Sequence, residues 1–169
     1  MRRIRTTCVL IVLLALATTA CAGDAKAPAG PPKTSADVVK VTAPGGLTAK
    51  AGAQVTFEVK VEVAKHWHLY SHSYTEDPES LYIGIDLTAD EGCPLTDLKV
   101  VYPAAVKGNF LGEEVMMHEG TFALKVTATV PAGAKAEVSA PLSLTAQACD
   151  DKVCLRPANV PVVVKVTVQ

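Results

Sequence analysis

Two cysteines with four residues between them, Cys149 and Cys154, sit in the stretch Thr145–Pro157, T-A-Q-A-C-D-D-K-V-C-L-R-P. Paired thiols this close can be oxidised to a disulfide and reduced again, which is the chemistry of electron transfer by thiol exchange. Alternating strand-like sequence leads in from Ala136 to Ala146 and leads out from Val160 to Val168. If Asp151-Lys152 forms a two-residue turn, Asp150 pairs with Val153 and Cys149 lies opposite Cys154. That is a non-hydrogen-bonded pair, with Cα atoms about 4.5–5.5 Å apart, inside the window a disulfide needs. A bulged turn or a four-residue turn fits the same spacing. As a staple the bond would be weak: closing a ring of roughly six residues is worth about 2 kcal/mol, against nearly 5 for a hundred-residue loop. A bracing role for the hairpin stays open as the bland alternative. Zinc is disfavoured, because no second Cys or His pair follows at ligand spacing.

Elsewhere the sequence says where this pair operates. Arg2, Arg3 and Arg5 precede an apolar run, Val9–Ala17, and small residues Thr18-Thr19-Ala20 follow. The pattern predicts an export signal over residues 1–20, with an apolar run too short to span a bilayer. Cleavage before Cys21 resembles that of bacterial lipoproteins and implies an acylated Cys21 as membrane anchor. Thr18 stands where the lipobox usually has Leu, and cleavage after Ala20 without acylation is the other outcome. Residues 21–36 read as anchor cysteine plus tether, since Ala, Pro, Gly and Lys cannot bury a core. Residues 37–169 then form one domain, large enough for a single core. Sixteen Lys and Arg against 17 Asp and Glu give a net charge of −1, which offers nothing to nucleic acid.

Of five cysteines, Cys8 falls within the signal and Cys21 at its end. Cys93, in Glu91-Gly92-Cys93-Pro94, is the odd one of the remaining three and reads as a buried or turn thiol. Sequence proximity pairs Cys149 with Cys154.

The elements that must position the pair read as strands. Val55, Phe57, Val59, Val61 and Val63 alternate with Thr56, Glu58, Lys60 and Glu62, the signature of a half-buried strand. The same period recurs in Leu81–Leu87, Phe122–Val130, Val138–Leu144 and Val162–Val168. Turn signals fall between them at Pro44-Gly45-Gly46, Asp77-Pro78, Gly92–Pro94 and Pro131–Gly133. No capped 3.6-residue period appears. Seven to nine short strands predict an all-β, immunoglobulin-like antiparallel sandwich. Two segments interrupt the pattern and read as loops. Lys65–Tyr74 holds the single Trp and three of four His; Lys107–Gly120 carries Phe110, Met116, Met117 and His118.

Three pieces, H-W-H-L-Y-S at His66–Ser71, F-L-G-E-E-V at Phe110–Val115 and Q-A-C-D-D-K-V-C-L-R-P at Gln147–Pro157, together resemble the N-terminal periplasmic domain of the DsbD family of thiol-disulfide reductases. The likeness runs from about Val38 to Val168. It implies an immunoglobulin-like domain with the cysteine pair on an inserted hairpin, acting as a thiol-disulfide oxidoreductase module without a cofactor beyond the dithiol. It also implies that Cys154 forms the mixed disulfide with partners and Cys149 resolves it. Phe110, Leu111 and Gly112 match the family's cap loop, and Tyr70 falls where the family places an aromatic near the site. Acidic residues often precede the cap aromatic in the family; here Gly108-Asn109 do. The implied partners are a thioredoxin-like domain or a membrane electron donor of the DsbD or CcdA type, and periplasmic disulfide proteins as acceptors. No transmembrane or C-x-x-C segment follows the domain in this sequence, so the donor is expected to be a separate protein.

A competing reading takes His66, His68, His72, Met116, Met117 and His118 as soft and imidazole ligands for copper. A third takes the chain as a structural or adhesive sandwich. Hydrolase readings lack support, since neither G-x-S-x-G nor H-E-x-x-H occurs.

Overall fold

A computed structural model describes residues 30–169. The expected export signal and Cys21 lie outside the described residues, as does most of the expected tether. Among the described residues twelve strands form three four-stranded sheets. The first sheet has the order β1 (Val39–Thr42), β3 (Gln54–Val63), β9 (Thr121–Thr129), β6 (Thr96–Val101). The second runs β2 (Leu47–Ala49), β12 (Ala158–Val168), β10 (Glu137–Ala146), β5 (Asp86–Ala89). The third is β11 (Ala148–Cys149), β4 (His68–Tyr70), β8 (Glu113–Glu119), β7 (Val106–Phe110). Pairing is antiparallel except for β2 on β12. The architecture is the expected immunoglobulin-like β-sandwich.

Alternation decides which side chains form the core. Val55, Phe57, Val59, Val61 and Val63 all turn inward from β3, while Thr56, Glu58 and Lys60 face water. Leu124, Val126 and Ala128 on β9 join them, as do Val138, Ala140, Leu142 and Leu144 on β10 and Val160, Val162, Val164 and Val166 on β12. A strand with one buried face has its register fixed, because a slip of one residue would put this whole apolar set into water. Cys93 lies in a turn after β5, its N–H donating to the Asp90 carbonyl at 3.0 Å, and packs against this core.

Three expectations need correction. The strand predicted over Leu81–Leu87 exists only from Asp86, and Leu81 is 95% exposed. Ser80 causes the break: its hydroxyl accepts from the Tyr82 N–H at 3.0 Å and donates to the Tyr82 carbonyl at 3.1 Å. This local bonding competes with a strand ladder and turns Tyr82 inward in place of Leu81. The segment Lys107–Gly120 is a hairpin of β7 and β8 rather than a loop, and Lys65–Tyr74 contributes β4 and a short 3-10 turn, His72–Tyr74. The tether also ends earlier than expected. Ser35 is fully buried, in a 3-10 turn at Ser35–Asp37, and Thr34 bridges Arg156.

Candidate functional site

Strands β10 and β12 pair continuously from Glu137 with Thr167 to Ala146 with Ala158. The chain between them, Gln147–Pro157, leaves this ladder and folds into a small hairpin of its own. Its first limb, β11, adds to the edge of β4, pairing Ala148 with Leu69 and Cys149 with His68. The hairpin is thus held by the third sheet, which is also the sheet that carries Tyr70 and Phe110.

Within this hairpin Cys149 and Cys154 are disulfide-bonded, with Cα atoms 4.0 Å apart. The Asp150 N–H donates to the Val153 carbonyl at 2.9 Å, and the Leu155 N–H donates to the Ala148 carbonyl at 2.8 Å. These bonds flank the cysteines on both sides, so the pair occupies a non-hydrogen-bonded position. Asp151 and Lys152 make the turn. Asp150 closes it, its Oδ1 accepting from the Lys152 and Val153 N–H groups at 2.8 Å each. Those two bonds favour the charged carboxylate and hold its pKa below the ordinary value. At the base, the Ser35 hydroxyl accepts from the buried Ala148 N–H at 2.8 Å and donates to the Arg156 carbonyl at 3.0 Å. One serine from the N-terminal segment therefore ties both limbs together.

Period-two geometry sorts the third sheet into two faces. Leu69 and Ala148 point to the main core. Tyr70, Phe110, Val115, Met117 and Cys149 form a second apolar cluster, with Tyr74 and Tyr82 packed against it. Phe110 meets Tyr70 edge-on at 6.1 Å and Tyr82 at 6.4 Å between ring centres. Met117 passes over Gly108, where any Cβ would overlap it. The Tyr70 hydroxyl lies 4.0 Å from Cys154 Sγ. Burial, with Tyr82 and Tyr74 beside it, raises the Tyr70 pKa far above its ordinary value, so the phenol keeps its proton.

The two sulfurs see different surroundings. Cys149 has no exposed surface, whereas Cys154 is exposed. Phe110 ends β7, and the turn that follows is Leu111-Gly112, with φ of 51° and 93° and Phe110 paired to Glu113. Two consecutive positive φ values are the hairpin turn that matches strand twist, and Asn109 Oδ1 accepts from the Gly112 N–H at 3.0 Å. Leu111 projects into solvent at 72% exposure. Tyr82 holds the hairpin tip from outside, its hydroxyl donating to Glu113 Oε2 at 2.6 Å.

The histidines and methionines do not gather. His72 Nδ1 lies 2.9 Å from the Ile85 carbonyl and its ring stacks on Tyr102 at 3.8 Å. His118 stacks on Phe122 at 4.7 Å. Met117 belongs to the cysteine cluster, and His66 occupies a turn at φ 72°. His68 faces Phe110 and Tyr70. Among the described residues no group of three or more His, Cys, Asp or Glu converges as a metal site. Sequence reasoning overlooked Ser35, Tyr74, Tyr82 and Glu113. Only aromatic enrichment hinted at the tyrosines; a serine 113 residues from its partner leaves no local signal.

The family model described as "Thiol:disulfide interchange protein DsbD, N-terminal" matches residues 35–164. The chain belongs to this family. As a DsbD N-terminal domain it is a module of thiol-disulfide exchange. Among solved structures it is similar to the N-terminal periplasmic domain of ScsB from Proteus mirabilis, at 12% identity and a TM-score of 0.48. That match covers 73% of this chain and 43% of the ScsB chain, so the chain spans less than half of it. The reduced N-terminal domain of DsbD from Neisseria meningitidis matches at 17% identity and a TM-score of 0.43, covering 78% of this chain and 90% of that one. No curated protein matches the sequence.

Proposed function

We propose that this DsbD N-terminal domain works in the periplasm as an electron relay, its Cys149–Cys154 disulfide cycling with a dithiol. The observation that carries the reading is the asymmetry of the pair: Cys154 is exposed and Cys149 is buried under an aromatic cluster. Once Phe110 moves aside, an incoming thiolate attacks the sulfur of Cys154, the exposed residue of the pair, a new disulfide joins partner to Cys154, and the electron pair of the broken bond leaves on Cys149. Resolution runs the other way, with Cys149 attacking Cys154 and releasing the partner as thiolate. Phe110, carried on the Leu111-Gly112 turn, serves as the cap that keeps stray thiols away until a partner displaces it. Tyr70 packs beneath it. The donor is a thioredoxin-like domain or a DsbD- or CcdA-type membrane protein, the acceptors are periplasmic disulfide proteins, and acylated Cys21 holds the domain at a membrane. A bond closing so small a ring adds only about 2 kcal/mol as a brace, which also favours exchange over bracing.

The test is equilibration of the protein in dithiothreitol or glutathione buffers, with thiol trapping and mass spectrometry. Reduction of Cys149–Cys154 with the fold intact is expected. In a Cys149→Ser variant a thioredoxin-like partner should then be trapped on Cys154. A potential below about −300 mV, the range of structural disulfides, or a bond that yields only on unfolding, would assign the bridge to bracing.

A further inference from the structure

When the Cys149–Cys154 bond opens, the buried sulfur becomes the thiolate, in the least favourable place for a charge. Cys149 has no exposed surface; its cluster mates Phe110, Val115 and Met117 are apolar, and the Tyr70 phenol, the polar group of the cluster, lies by Cys154 Sγ at 4.0 Å. A bare anion there would raise the thiol pKa and slow both attack and resolution. Some donor must face that sulfur.

His68 stands in the required place. It is the direct cross-strand partner of Cys149 in the β11–β4 ladder. Side chains so paired leave the sheet on the same face, with Cβ atoms about 4.5–5.5 Å apart. His68 is 4% exposed, and its Nε2 is buried without a hydrogen-bond partner. A buried polar atom left unpaired in the resting state costs stability and calls for an explanation. The ring packs edge-on against Tyr70 at 5.5 Å and Phe110 at 5.9 Å, so it belongs to the cap and not to the main core.

We propose that His68 is a positioning residue for the exchange reaction, its ring N–H donating a hydrogen bond to the Cys149 thiolate. The proposal rests on the redox reading above. The partner's thiolate attacks Cys154, the S–S electron pair leaves on Cys149, and neutral His68 donates its hydrogen bond without losing the proton. Nothing beyond the partner's thiol is consumed. Burial lowers the His68 pKa, while Glu119 on β8 and Asp150 and Asp151 on the hairpin oppose that shift. Lys65 is the other charged side chain of the cleft that His68 lines with Glu119 and Asp151. Tyr70, its phenol 4.0 Å from Cys154 Sγ, serves the other sulfur.

The test titrates Cys149 in a Cys154→Ser protein by ultraviolet thiolate absorbance, subtracting the same protein with Cys149→Ser added so that the other cysteines cancel. His68→Phe keeps an aromatic ring against Phe110 and Tyr70 but has no N–H. It is expected to lower the Cys149 thiolate fraction at neutral pH about tenfold or more, the scale of a hydrogen bond to a charged group. His68→Gln, which keeps an N–H donor, should recover part of it. Thermal unfolding of each variant separates this from loss of fold. A titration of His68→Phe that superimposes on the parent overturns the inference, even where the wild-type disulfide is readily reduced. A wild-type disulfide that resists reduction until unfolding overturns the relay reading instead, whatever the titration gives.

Discussion

Removing the Phe110 ring tests the proposal that it governs access to the disulfide. The ring is 8% exposed and meets Tyr70, His68 and Tyr82 edge-on. Burying a Phe side chain is worth about 1.5–3 kcal/mol, and edge-on aromatic pairs add about 0.5–1.5 kcal/mol. Phe110 sits at the end of a hairpin whose tip is anchored by one phenol–carboxylate bond, so the tip can swing without unfolding the sandwich. If the ring gates the bond, about 2–3 kcal/mol for the closed state lets a small thiol react about 30- to 150-fold less often than with the ring displaced. Phe110→Ala should therefore speed reduction of Cys149–Cys154 by dithiothreitol or glutathione by about that factor. The assay is pseudo-first-order reduction at several thiol concentrations, quenched by alkylation, on protein shown by circular dichroism to be folded. Phe110→Leu, which keeps much of the apolar contact, should fall between. A Phe110→Ala rate within about twofold of wild type would refute the gate.

Three further outcomes follow from the geometry. Ser35→Ala leaves the buried Ala148 N–H without its acceptor and should cost about 1–3 kcal/mol in urea unfolding, with faster amide exchange at Ala148 and Leu155. Asp150→Ala removes the acceptor for two turn amides; hydrogen exchange at Lys152 and Val153 should quicken while the amides of β10 stay protected. Between neutral and mildly acid pH His68 and His118 contribute to the pH dependence, both held below their ordinary 6.5 by burial. The unfolded chain binds protons on these residues more tightly than the folded one. Their contribution is therefore complete above about pH 6.5 and is lost as pH falls below it. His118→Phe should flatten the decline of melting temperature between neutral and mildly acid pH; an unchanged slope would show that His118 contributes nothing to it.

Much of this chain was legible from local pattern. The alternation in Gln54–Val63 and Thr121–Thr129 named both strands and their buried faces, because a side-chain period of two is a property of the strand itself. The cysteine spacing named the disulfide, and one of the registers it allowed is the one observed, since a two-residue turn dictates which residues come opposite. Leu81 looked like a strand residue because periodicity cannot see the Ser80 hydroxyl capture Tyr82. The hairpin at Lys107–Gly120 was hidden by Gly, Asn and a Leu in the left-handed region, Leu111, which local preference disfavours and the cross-strand pairs of β7 and β8 enforce.

By itself the sequence determined the class of fold, the face each long strand buries and which thiols pair, all of which depend on neighbours in the chain. Tertiary structure alone decided what surrounds the sulfurs. It added β11 to the edge of β4, set His68 beside Cys149, brought Phe110 and Tyr82 over Tyr70, and reached back to Ser35 to clamp the hairpin. Those contacts join residues tens of positions apart, and they exist only because the strands carrying them pair and pack. They are also what make one cysteine buried and the other exposed.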